Sequence, residues 1–131
     1  MTTHPTPSLE TSPLEQYRSH LSRGELAYQV DDHGRPLFYP RVVAPAGYEG
    51  ELRWVASKGL GVVYAATVIA PKGEPAYNVV LVDMDEGFRL MSRVESIPPE
   101  QVRIGMRVKA RIHPAEENDG PYPVFDPVDA A

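Results

Sequence analysis

Asp83, Asp85 and Glu86 lie almost side by side, and closely spaced carboxylates are what paired acid–base catalysis requires. They also stand at the end of an apolar run and directly before Gly87, where a hairpin turn draws on the same residue types and Gly87 supplies a positive φ. Turn chemistry accounts for all three positions, so they are assigned to a solvated turn. Nucleophilic chemistry finds no support. The chain has no cysteine, which excludes disulfides, thiolate metal sites and a sulfur nucleophile together. A Gly-x-Ser-x-Gly elbow, a phosphate-binding glycine loop and a His/carboxylate metal cluster are all missing. His20 has no second ligand at metal spacing and is assigned a solvated or capping role. Cationic chemistry is better represented. Arg107, Lys109 and Arg111 share one face of an alternating run, with Arg103 nearby and Arg89 and Arg93 on the preceding run. Such a face can meet phosphate oxygens, Arg with a planar fork and Lys as a point charge, or simply be the wet face of a strand. Trp54 and Tyr64 could shelter an adenine or pantetheine arm, or belong to the core.

The elements that would carry these residues follow from composition and period. With 131 residues and a net charge of -5, the chain can build one main core and repels polyanions as a whole. Residues 1–11 are rich in Thr and Pro and lack both a basic start and an apolar run, so they read as a disordered leader and neither a signal peptide nor a membrane span. Ser12, Pro13 and Glu15 form a capping box before a helix whose stripe is Leu14, Tyr17 and Leu21, and Gly24 offers the stop. That narrow stripe must dock on this chain's core or on another subunit. Residues 25–50, with a turn cluster at Asp31-Asp32-His33-Gly34 and prolines 36, 40 and 45, read as irregular but as a small module with its own task.

From Glu51 the period becomes two. Leu52, Trp54 and Ala56 alternate; Gly61 to Ala70 and Tyr77 to Met84 read as strands covered on both faces. Phe88 to Ile97 returns antiparallel after the turn, Pro98-Pro99-Glu100 starts one helical turn, and Met106 to His113 alternates cleanly. Tyr122 to Phe125 is an extended edge segment containing a proline. About five strands with a helical turn before the last long one predict a mainly β fold, a five-stranded Greek-key barrel of the OB type. The expected divisions are a leader over 1–11, a helix and ribbon over 12–50 and the barrel over 51–128.

These residues carry a family resemblance. Phe38-Tyr39-Pro40-Arg41 with Pro45, Leu52-Arg53-Trp54 leading to Gly61-Val62-Val63-Tyr64, Tyr77 through Val82 with Asp85-Glu86-Gly87, and Arg103 to Val108 stand in sequence. In order and spacing the chain resembles the OB-fold, acyl-CoA-associated proteins that carry an N-terminal rubredoxin-like zinc ribbon. Over the places that the resemblance gives to four zinc-binding cysteines, this sequence has Val30, His33, Ala44 and Gly47. One imidazole cannot replace a four-ligand tetrahedral site, so no zinc is expected. Structural zinc couples on the order of 10 kcal/mol of binding to folding, and packing by Phe38, Tyr39, Val43 and Tyr48 is expected to hold the 30–50 loop instead, or else to leave it mobile.

The resemblance implies a cytoplasmic, non-catalytic accessory subunit that docks on a thiolase-like or related acyl-CoA enzyme of lipid metabolism. It implies acyl-CoA as the ligand, with no tightly bound cofactor, no nucleic acid and no membrane. Arg89, Arg93, Arg107, Lys109, Trp54 and Tyr64 are the candidate CoA contacts. Two alternatives belong to other classes. A single-stranded nucleic-acid binder would need a basic groove with exposed aromatics, whereas Glu95, Glu100, Glu116, Glu117 and Asp119 answer the basic strand. A stand-alone acyl-CoA thioesterase or hydratase would need a catalytic constellation that is not visible.

Overall fold

The computed structural model describes residues 12–116 and 120–128. The expected leader lies outside these residues, as do Glu117 and Asp119. Helix α1 (Pro13–Ser22) begins where expected: the Ser12 hydroxyl accepts the Glu15 backbone N–H at 3.1 Å. It ends in a Schellman motif. Gly24 takes φ 81°, its N–H donates to Leu21 O, and the Glu25 N–H donates to His20 O. Two of the three stripe residues dock on the chain itself, while Leu14 stays exposed. Leu21 is buried in the core, and Tyr17 meets the Phe38 ring edge-on at 5.5 Å.

Two sheets follow. The smaller has the order β2-β1-β3, from β1 (Ala27–Val30), β2 (Pro36–Leu37) and β3 (Arg53–Ala56), all antiparallel. The stretch read as irregular therefore contains two strands. The strand around Trp54, expected in the barrel, pairs with β1 instead, Trp54 opposite Gln29. The larger sheet has the order β6-β5-β4-β7-β8, from β4 (Leu60–Ile69), β5 (Tyr77–Met84), β6 (Arg89–Ser92), β7 (Arg107–His113) and β8 (Tyr122–Pro127). A parallel bridge between Val94 and Phe125 brings its two edges together, and a single 3₁₀ turn (Pro99–Gln101) precedes β7. Five strands, closure between the third and fifth, and a helical turn between the third and fourth define an OB fold.

The closure is specific. Phe125 donates its N–H to Arg93 O at 2.9 Å and accepts the Glu95 N–H at 2.7 Å. Buried Asn78 clamps Val94, donating to its carbonyl and accepting its N–H, both at 2.8 Å. Strand β4 breaks register between Val63 and Ala65; there the Val63 N–H donates to Met106 O and its carbonyl accepts the Gly105 N–H. The bulge bends β4 from one partner strand toward the other.

One core joins both sheets: Tyr28 and Val30 of the small sheet, with Leu26 just before it, meet Val63, Val80, Val82 and Phe125 of the barrel. The expectation that β4 and β5 are covered on both faces does not hold. β5 alternates strictly, Asn78, Val80, Val82 and Met84 buried, and the far half of β4 is open, with Tyr64, Val68 and Ile69 exposed. β7 follows its expected alternation, with Arg107, Lys109 and Arg111 outward. Among the described residues, no helix is long and apolar enough to cross a membrane.

Candidate functional site

The Asp85-Glu86-Gly87 turn forms between β5 and β6. Gly87 has φ 103° and donates to Met84 O at 2.9 Å. Its carboxylates are tied down rather than merely solvated. Asp85 takes a two-pronged bond from Arg107 at 2.7 and 2.9 Å, and Glu86 accepts from the Ser57 hydroxyl and the Lys58 N–H, both at 2.7 Å. Asp83, one strand position back, holds Arg89 at 2.5 Å.

The same pairing runs through the cationic residues. Arg111 donates to Asp126 and Glu95, each at 2.8 Å. Arg93 donates to Glu95 and to the Tyr122 hydroxyl. Arg89 also lies over the Tyr64 ring, 3.7 Å from its centroid. Among the described residues Lys109 makes no ion pair. The six candidate contacts do not form one site. Tyr64, Arg89 and Arg107 sit along the β4–β5–β6–β7 surface, since Val62 lies opposite both Asp83 and Arg107. Arg93 stands at the β8 end beside Tyr122, and Lys109 lies opposite Leu60 and Asp126. Trp54 is on the small sheet, its indole N–H donating to Gln16 Oε1 at 2.7 Å and its ring against Tyr17 and His20. His20 meets Glu25 at 2.7 Å, a local contact at the helix end.

These pairs shift ionisation. The Arg107 hydrogen bonds hold the Asp85 carboxyl below the ordinary range, and Arg111 does the same for Asp126. Burial opposes ionisation of Glu95, but Arg111 and Arg93 outweigh it and its pKa also falls. Such groups favour the folded state above the unfolded carboxyl range, and that contribution drains as pH falls through their lower folded-state values. The urea midpoint is therefore expected to fall below about pH 4; a midpoint that stays unchanged from about pH 7 down to about pH 3 would contradict it. Tyr17, half-buried where α1 meets Phe38 and Trp54, has its hydroxyl pushed up to about 12 by that desolvation.

The loop from Val30 to Gly50 is held differently from the expectation. Phe38 stacks on Phe88 at 5.2 Å, and the Tyr48 hydroxyl donates to Pro36 O at 2.8 Å. Tyr39 and Val43, expected to pack, are 79% and 72% exposed. Polar clamps do the holding. The Gln29 side chain exchanges two bonds with the Arg41 backbone, both at 2.8 Å, and the Asp31 carboxylate binds backbone N–H groups from both limbs. Asp31 read only as a turn residue because nothing in the sequence marks its burial. The donor set does not fit a tetrahedral zinc: Val30, Ala44 and Gly47 have no ligand atom, and His33 Nε2 is taken by Glu49 at 2.7 Å. Among the described residues no three His, Cys, Asp or Glu side chains gather as a metal site.

Two concavities flank α1. One of about 950 Å³ is lined by Tyr17, Leu21, Phe38, Leu90 and Met91, with Arg18 and Arg93 in its polar lining. The other, about 520 Å³, lies among Gln16, Gln29, Val42, Val43 and Trp54.

Residues 54–113 match the family described as ChsH2, C-terminal OB-fold domain. No protein with a curated description matches the chain. Among solved structures, it is similar to a chain of one described as "Ltp2-ChsH2(DUF35) aldolase", with a TM-score of 0.75 and 25% identity, covering 95% of this chain and 98% of that one. The segment match and the whole-length likeness agree with the strand order and the closure: residues 54–113 are similar to ChsH2 C-terminal OB-fold domains.

Proposed function

We propose that this chain is a non-catalytic accessory subunit of a thiolase-like or aldolase-type acyl-CoA enzyme, working in cytoplasmic lipid metabolism. The observation that carries the reading is the whole-length likeness to a chain of an aldolase assembly. The chemistry supports it. Thiolase-type catalysis needs a thiolate, which a chain with no cysteine cannot supply, and the carboxylates that could have served as acid and base are committed to Arg107, Arg89, Ser57 and Lys58. The partner docks on the exposed apolar residues of the ribbon loop, Tyr39, Val42 and Val43.

Acyl-CoA contact falls to Arg89, Arg93, Arg107, Lys109, Trp54 and Tyr64. Of these Lys109 is ready to meet a phosphate, the arginines must share theirs with a carboxylate, and the Arg89–Tyr64 stack offers a flat platform. Because the six are spread over separate places, the CoA would bridge this chain and its partner. The single-stranded nucleic-acid alternative loses ground, since carboxylates already neutralise Arg89, Arg93, Arg107 and Arg111. The test is turnover of a panel of acyl-CoA thioesters by the isolated chain. None is expected; thioester hydrolysis or hydration by the pure chain would overturn the non-catalytic assignment.

A further inference from the structure

Within the ribbon, Asp31 is fully buried. Its Oδ1 accepts the backbone N–H groups of His33 and Arg35, each at 2.9 Å, and its Oδ2 accepts that of Glu49 at 2.9 Å. Backbone bonds of the same residues surround it: Asp31 N–H to Arg35 O, Gly34 N–H to Asp31 O and Asp32 N–H to Glu49 O. One side chain thus gathers the tight turn after β1 and the returning limb before β3 at a single point.

A metal in a ribbon does the same job, converging separated backbone segments on one charged centre. We propose that the Asp31 carboxylate is the centre of this ribbon in place of a metal, joining the turn after β1 to the limb before β3 so that the 30–50 loop folds without zinc. The chemistry is specific to a carboxylate. Three converging N–H donors need two acceptor oxygens, and an ionised carboxylate provides them with charge assistance. Asn at the same position offers one oxygen and one NH₂, so at least one amide would face a donor or stay unpaired. This inference does not depend on the docking reading, because it concerns only how the loop is held.

Amide hydrogen exchange on the full chain tests it, with zinc content measured on the same sample. Expected is substoichiometric zinc, protection of the His33, Arg35 and Glu49 amides, and no change on adding EDTA or zinc. In Asp31→Asn those three amides should lose about tenfold or more of their protection, while Val80 and Val82 in the barrel keep theirs. Stoichiometric zinc, loss of protection with EDTA, or exchange of the three amides at unfolded rates in zinc-free protein would overturn the proposal. So would full protection in Asp31→Asn; should that variant not fold, the wild-type comparison decides alone.

Discussion

Replacing Tyr39 and Val43 together by Glu is expected to abolish association with the partner enzyme, weakening it by about 100-fold or more, while the folded chain stays intact. Both side chains stand almost wholly in solvent, so their removal opens no cavity, and exposed substitutions of this kind change stability by only about 0.5 kcal/mol. The loop that bears them is held elsewhere, by Gln29 on Arg41 and by Tyr48 on Pro36. In a docked complex the same positions would bury two unpaired carboxylates against apolar surface, which costs several kcal/mol. Titration calorimetry with the purified partner, beside a thermal melt of the variant alone, separates the two effects. Undiminished binding would move the docking surface off the ribbon. Truncating residues 1–50 is a poorer test, because Leu21, Leu26, Tyr28 and Val30 belong to the shared core.

Phe125→Ala is expected to be the most damaging change to the fold. The ring is completely buried, and removing an aromatic from such a site costs about 3–5 kcal/mol, enough to lower the melting midpoint by roughly 10–20 °C. The position matters as much as the volume. Phe125 faces Ala110 across the β7–β8 ladder and bridges Val94, so a cavity there loosens the seam that closes the barrel. Met91→Ala, at a position 69% exposed, is the control and should leave the midpoint nearly unchanged. Equal effects of the two would contradict this account of the closure.

The barrel strands and the first helix were legible because their signals are local. Alternation in β7, the Gly87 turn and the capping Ser12 each encode an element within a few residues. Pairing is not local. The period of two around Trp54 announces a strand without naming its partner, and Ala27–Val30 is too short and too uniformly buried to announce itself as the neighbour. The cationic face was visible as charge, and Glu95 among the carboxylates that answer it, but the cross-strand partners Asp85 and Asp126 were not. Arg107 meets Asp85 and Arg111 meets Asp126 across strands, contacts that only register creates. The ribbon shows the limit most clearly: Tyr39 and Val43 read as packing groups because they are apolar, yet the work falls to Gln29 and Asp31, whose burial composition cannot convey.

The most direct measurement is affinity purification of the full chain from its native cell, followed by mass determination of the intact complex and acyl-CoA assays on each component. The account predicts a thiolase-like or aldolase-type subunit in fixed stoichiometry, with turnover in the complex and none in this chain alone. Recovery of the chain without such a partner, together with salt-sensitive nanomolar binding to single-stranded oligonucleotides or acyl-CoA turnover by the chain itself, would contradict it.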